Sequence, residues 1–192
     1  MVLGIPRGGV TVADIIARKL SCEFDIIIPR KLRAPHSEEL AIGAVIGRGE
    51  EDGSATYLND TLVKELEVSQ EYIQKEKAKQ IEEIKRRYSL YQNSSRTRRG
   101  GGEEADQQLK EKTVILADDG AATGATLIAA ARWIKNNNPG NHLIIAIPVA
   151  PKETLNLLKR EADHVEVILS PSTSNFKSVG QYYQSFEVVT DE

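Results

Sequence analysis

The chain has 192 residues, 40% of them hydrophobic and 28% charged, which suits one compact domain that buries a core without staples. A formal net charge of −3 excludes a domain-wide basic face for nucleic acid. One cysteine, Cys22, excludes an internal disulfide and a cysteine metal cluster, and no apolar run nears the ~20 residues that span a bilayer. Pro6, Arg7, Gly8 and Gly9 interrupt any apolar stretch at the start, so a secretory signal is not expected and the cytoplasm is the default compartment.

Taken in order, Val2-Leu3-Gly4-Ile5 reads as a strand at the very start, with no element before it to cover it. Either the domain is short there or an N-terminal helix is missing. Val10, Ala13, Ile16 or Ala17 and Leu20 recur at helical spacing after the Gly8-Gly9 turn. Phe24 to Pro29, apolar and β-branched apart from Asp25, fits one strand buried on both faces, and residues 30–39 are polar. Leu40–Gly47 and Ala55–Leu58 read as a hairpin joined by a charged, Gly-containing stretch. A long polar helix is expected from Ser69, a suitable N-cap, to about Tyr91. Its stripe is Ile73, Lys77, Ile81, Ile84, Tyr88 and Tyr91, and its many Lys and Glu residues read as a solvated face. Residues 92–108, rich in Gly, Ser and Arg, read as a mobile loop, with Arg96, Arg98 and Arg99 as solvated charge. Strands at 113–117, 142–147 and 164–169 then alternate with helices at 124–137 and 152–162, the pattern of βαβ units and a parallel sheet. The tail from Ser170 to Glu192 concentrates the aromatics Phe176, Tyr182, Tyr183 and Phe186.

The most informative segment is Val114-Ile115-Leu116-Ala117-Asp118-Asp119-Gly120-Ala121-Ala122-Thr123-Gly124-Ala125-Thr126. A buried strand ends in two carboxylates, and a run of small residues and hydroxyls turns into an apolar helix. Ligands of open α/β sheets bind outside the carboxyl ends of the strands. A small-residue turn at a helix start directs backbone N–H groups and the helix dipole at an anion, and Thr123 and Thr126 add hydroxyls. Ionised carboxylates only accept hydrogen bonds, so the acids match a partner rich in O–H groups. A ribose 5-phosphate needs both within one sugar length. The plain alternative, an N-cap and a surface charge on an ordinary turn, leaves the rest of the string unexplained. No Gly-Lys-[Ser/Thr] and no Gly-x-Gly-x-x-Gly after a strand is present.

This string resembles the 5-phosphoribosyl 1-pyrophosphate (PRPP) binding signature of the type I phosphoribosyltransferase family. The resemblance runs through most of residues 2–150. It implies a parallel α/β sheet flanked by helices, Rossmann-like, with a flexible hairpin and a small C-terminal hood. It implies one domain over 1–192, with a helical insertion at 60–92. Gly120, Ala121, Ala122, Thr123, Gly124, Ala125 and Thr126 would hold the 5-phosphate, and Asp118 and Asp119 the ribose hydroxyls. Pro6-Arg7-Gly8-Gly9 matches the family's pyrophosphate loop, with Arg7 as its cation, and Arg30-Lys31 matches a basic pair that precedes the closing hairpin. The reaction implied is transfer of phosphoribosyl to a nucleobase or related small acceptor with release of pyrophosphate, a step of nucleotide salvage. Asp118, Asp119, Lys31 and Arg7 would carry it, with Mg²⁺ held mainly through PRPP and no dedicated protein metal site. A homodimer is implied, with neither nucleic acid nor membrane as partner.

Ala122 stands where 6-oxopurine members carry an Asp, so the phosphate loop offers no general base. Glu38 or Glu39 could serve if the covering segment folds inward, or they are exposed charge. The hood aromatics either stack on a planar base or seal the sheet's edge. Arg7 and Arg30-Lys31 favour an enzyme over a PRPP-sensing regulatory module, because a sensor has no leaving group to stabilise.

Overall fold

The computed structural model describes residues 1–35, 37–47, 55–92, 109 and 112–186. The expected loop at 93–108, with its arginines, lies outside them, as do the side chains of Glu38 and Glu39. No helix among the described residues is long and apolar enough to cross a membrane.

Five parallel strands form the main sheet. They are β1 (Val2–Gly4), β2 (Phe24–Ile26), β6 (Thr113–Ala117), β7 (His142–Val149) and β8 (His164–Leu169), in the order β2-β1-β6-β7-β8. Helix α1 (Gly8–Leu20) crosses from β1 to β2, α4 (Ala125–Asn137) from β6 to β7, and α5 (Lys152–Leu158) from β7 to β8. Residues 2–4 of β1 are fully buried, because its neighbours β2 and β6 flank it and apolar side chains cover both faces. Leu3, Leu116, Leu143 and Ile145 from the sheet pack with Leu127, Trp133 and Ile134 of α4 in the principal core. The carboxyl ends of β1 and β6 lie side by side, with Gly4 paired to Ala117. That register places both candidate anion loops at one edge of the sheet.

The run Phe24–Pro29 is not one strand. The Ile27 N–H donates to the Gly4 carbonyl at 3.1 Å, and after it the chain leaves the main sheet. A second, antiparallel sheet then forms from β3 (Ile28–Ala34), β4 (Ser37–Gly47) and β5 (Ala55–Leu58). Residues 30–34, which look merely polar, are extended because alternate positions are apolar. Leu32 and Ala34 are buried while Lys31 is exposed and Arg33 half-exposed between them. Hairpin β4–β5 is as expected at its core, but its strands are structural on both faces. Ala44 and Ile46 join the principal core, and Ile42 and Val45 join a second one. Arg132 of α4 lies 4.4 Å from the centre of the Tyr57 ring and ion-pairs with Glu161, so β5 is fastened to α4. The stretch that joins the two strands, residues 48–54, lies outside the described residues.

A short helix α2 (Asp60–Glu65) precedes the long helix α3 (Gln70–Gln92). Asn59 caps the first through the Leu62 N–H at 3.1 Å, and Ser69 caps the second through the Tyr72 N–H at 3.2 Å. The stripe of α3 is confirmed at Ile73, Ile84 and Tyr88, which pack on Ile28, Leu32 and Val45. The polar face is only partly solvated. Glu76 and Gln80 are buried, and both serve β3. Glu76 accepts the Arg33 N–H at 3.4 Å, and the Gln80 side-chain carbonyl accepts from Arg30 Nε at 3.0 Å. The Tyr72 hydroxyl donates to the Arg33 carbonyl at 3.2 Å. Helix α3 is thus the brace of β3.

Truncation tests this docking. Ile84→Ala, at a site 1% exposed, should cost about 2–5 kcal/mol of unfolding free energy, whereas Lys79→Ala on the outer face should cost under about 0.5. Urea melts of the two variants check it, and equal small losses would mean that α3 does not dock.

Candidate functional site

Strand β6 delivers Asp118 and Asp119 at its carboxyl end, and α1 brings Gly8 and Gly9 against them. A Cβ on Gly8 would overlap the Asp119 carboxylate, and one on Gly9 would lie 2.7 Å from Asp118 Cα and 2.9 Å from the Ala117 carbonyl oxygen. Only glycine allows this approach. The pyrophosphate-type loop and the acid pair therefore form one wall. The peptide between Pro6 and Arg7 is cis, and Arg7 is exposed beside it.

Beyond the acids the chain makes an anion-shaped turn. The Asp119 N–H donates to Asp118 Oδ1 at 2.9 Å, and the Ala121 N–H to the Val149 carbonyl at 2.9 Å. The Thr154 hydroxyl donates to the Ala122 carbonyl at 2.6 Å and holds it in place. No described residue accepts from the amides of Ala122, Thr123 or Gly124. Gly124, at φ +75°, makes the left-handed turn into α4, and a Cβ there would stand 3.0 Å from Thr154 Cγ2. Open amides at the positive end of a 13-residue helix suit an anion.

Burial, and then the neighbouring Asp119, hold the Asp118 carboxyl well above the usual carboxylate range. Burial raises Asp119 as well. The hood closes the other side. The Tyr183 hydroxyl donates to the Asp119 carbonyl at 2.5 Å, and its acidity is weakened by burial and then by the two acids. Val179 presses on Gly120, where a Cβ would come within 2.7 Å of Val179 Cγ1. Phe176 and Tyr182 stack on each other with centroids 5.7 Å apart. Two of the expected base-stacking rings are thus partnered within the hood, and Tyr183 holds the loop.

A cavity of about 330 Å³ is lined by Pro6, Pro29, Arg30, Lys31, Arg33 and Thr126, together with Arg87 of α3. It brings Pro6 and the Arg30-Lys31 pair beside Thr126, whereas Arg7 is not among its lining residues. Burial, and then Arg87, lower the pKa of Arg30. Sequence reasoning missed Arg33 and Arg87. The alternation Lys31-Leu32-Arg33 carries a signal for Arg33, since residues i and i+2 of a strand share a face. Arg87 carries none, because in the sequence it is half of an ordinary i,i+4 pair with Glu83.

A family model described as the phosphoribosyl transferase domain matches residues 1–185. The whole chain is 33% identical over 192 residues to two Mycobacterium tuberculosis proteins, Rv0571c of strain H37Rv and MT0597 of strain CDC 1551, whose names give them provisionally as phosphoribosyl transferases. The chain spans 40% of the length of each. Among solved structures it is similar to TT1426 from Thermus thermophilus, with a TM-score of 0.70 and 34% identity, covering 99% of this chain and 82% of that one.

The acid pair carries a pH signature. Folded, both carboxyls hold protons to higher pH than they do unfolded. The stability they lend is present at low pH and is lost as pH rises from the ordinary carboxylate range toward their raised values. Asp118→Asn should therefore stabilise the ligand-free protein by about 1 kcal/mol near neutral pH and flatten that fall. Melts across a pH series check it, and a variant less stable than wild type at neutral pH contradicts it.

Proposed function

This chain belongs to the phosphoribosyl transferase domain family, and from that premise we propose that it transfers the 5-phosphoribosyl group of PRPP to a nitrogenous base or related small acceptor, releasing pyrophosphate. The observation that carries the reading is the meeting of four features at one sheet edge. The open amides of residues 122–124, the paired acids, the Pro6–Gly9 loop and the cation-lined cavity are the kinds of partner that PRPP's phosphate, hydroxyls and pyrophosphate need. The 5-phosphate would take the amides and the Thr123 and Thr126 hydroxyls. The ribose 2- and 3-hydroxyls would donate to Asp118 and Asp119. Pyrophosphate would lie toward Arg7, Arg30 and Lys31.

The acceptor nitrogen attacks C1 as the bond from C1 to the pyrophosphate oxygen breaks, and the bonding pair leaves with pyrophosphate. Cations fixed near the leaving oxygens gain interaction as that charge develops, which is what raises turnover. The acids orient the sugar so that C1 faces the acceptor side, where Val179 and Tyr183 of the hood stand. No described group of three His, Cys, Asp or Glu residues could hold a metal. Two carboxylates alone fit Mg²⁺ only alongside oxygens of the ligand and water, as this hard, strongly hydrated ion accepts. When bound, it would neutralise pyrophosphate charge.

Calorimetry with PRPP and Mg²⁺ should show binding to wild type, weakened by roughly 2–4 kcal/mol in Asp118→Asn/Asp119→Asn through loss of two charge-assisted sites that add incompletely. With a panel of bases, wild type should release pyrophosphate. Lys31→Ala should lower the maximal rate tenfold or more, about 1.4 kcal/mol, while weakening PRPP less. PRPP binding with no turnover on any acceptor would make the chain a sensor. Unchanged affinity in the double variant would overturn the ribose-binding role.

A further inference from the structure

Helix α3 adds one cation to a cavity that β3 lines with three. From β3 the lining groups are Arg30, Lys31 and Arg33, and from α3 Arg87, while Glu76, Gln80 and Glu83 of α3 accept from the Arg33 N–H, Arg30 and Arg87 without lining it. Glu76 spends one oxygen on the Arg33 backbone N–H and on the Gln80 amide at 2.9 Å. Glu83 is divided between two guanidinium groups, accepting from Arg86 Nε and from Arg87 Nε, both at 2.8 Å. Those bonds hold its carboxyl at about 2, so it is ionised at any physiological pH. No carboxylate lines the cavity among the described residues.

Like charges set together in a half-buried place disfavour the empty state, and an anion relieves them. Pro6 and Thr126 line the same cavity, so it borders both anion loops. A guanidinium there can grip a phosphoryl group through two parallel N–H bonds. An ordinary surface pair would leave Arg87 in solvent. Here its side chain is 21% exposed and borders the cavity.

We propose that Arg87, in the helical segment read as an insertion, is a binding residue for the pyrophosphate end of the substrate and completes a polyanion subsite with Arg30, Lys31 and Arg33. The proposal rests on the PRPP reading above. It gives α3 a function beyond bracing β3: the helix delivers a cation from a fixed element.

The test uses three probes, inorganic pyrophosphate, PRPP and ribose 5-phosphate, titrated with Mg²⁺ into wild type, Arg87→Ala, Arg87→Lys and Glu83→Gln at low and moderate salt. Arg87→Ala should weaken pyrophosphate and PRPP about tenfold, the size of one lost charge-assisted contact, and lessen the salt dependence. Ribose 5-phosphate, which lacks the leaving group, should bind as to wild type. Arg87→Lys should recover part of the loss, and Glu83→Gln should keep or tighten pyrophosphate binding. Wild-type affinity for PRPP in Arg87→Ala overturns this proposal and spares the PRPP reading. An equal loss of all three probes in Arg87→Ala overturns it too, because the residue would then act through the fold. Failure of wild type to bind PRPP or ribose 5-phosphate overturns the PRPP reading itself.

Discussion

The site depends on one close approach. The first turn of α1 comes so near the end of β6 that side chains at positions 8 and 9 have no room, and two acidic residues fill the space that is left. Parallel pairing of β1 with β6 sets the height of this contact, because Gly4 and Ala117 are in register and the two loops leave the sheet together. Replace either glycine, and the loops must part. The acids would then no longer share a wall with Arg7, and one ligand could not reach both.

Around this contact lie groups of opposite charge. The two carboxylates stand against the first turn of α1, the open amides of the Ala122–Gly124 turn follow them in the chain, and the arginine-lined cavity borders Pro6 and Thr126. The arrangement is costly in the empty protein, since Asp118 is driven to hold its proton and Arg30 is depressed by burial and its neighbours. Both costs fall when a ligand brings hydroxyls to the acids and phosphoryl oxygens to the cations. The stability lost at the site is recovered elsewhere, in the double core that hairpin β4–β5 builds by facing the main sheet with one side and α3 with the other. A protein arranged this way is stabilised by its substrate more than by its own contacts there.

Much of this was legible in the residues. Strands β6 and β8 fall at the expected positions, and β7 runs two residues further, because each is a short apolar run between turn signals. The Asp118–Thr126 string carries its chemistry openly, since small residues, acids and hydroxyls between an apolar strand and an apolar helix have few other uses. What periodicity could not show was partnership across the chain. The run Phe24–Pro29 is apolar but for Asp25 and shows no break after Ile26, yet the Gly4 carbonyl takes the Ile27 amide and the two halves enter different sheets. Glu76 and Gln80 resemble solvent-facing residues of a charged helix, and only the packing of α3 on β3 reveals that they hold Arg30 and the Arg33 backbone. Tyr183 was visible as an aromatic near a binding region, but its task of fixing the Asp119 carbonyl is a tertiary fact.

The central claim, that two loops in contact make a single PRPP site, is tested most directly by a change that alters no charge. Calorimetric titration of PRPP with Mg²⁺ into Gly8→Ala, with circular dichroism confirming a folded protein, isolates the approach of α1 to Asp119. The account predicts that a single methyl at position 8 weakens PRPP by at least about tenfold, because the carboxylate it displaces can no longer face the ribose and the Arg7 loop together. A folded Gly8→Ala protein that binds PRPP as wild type does would contradict it.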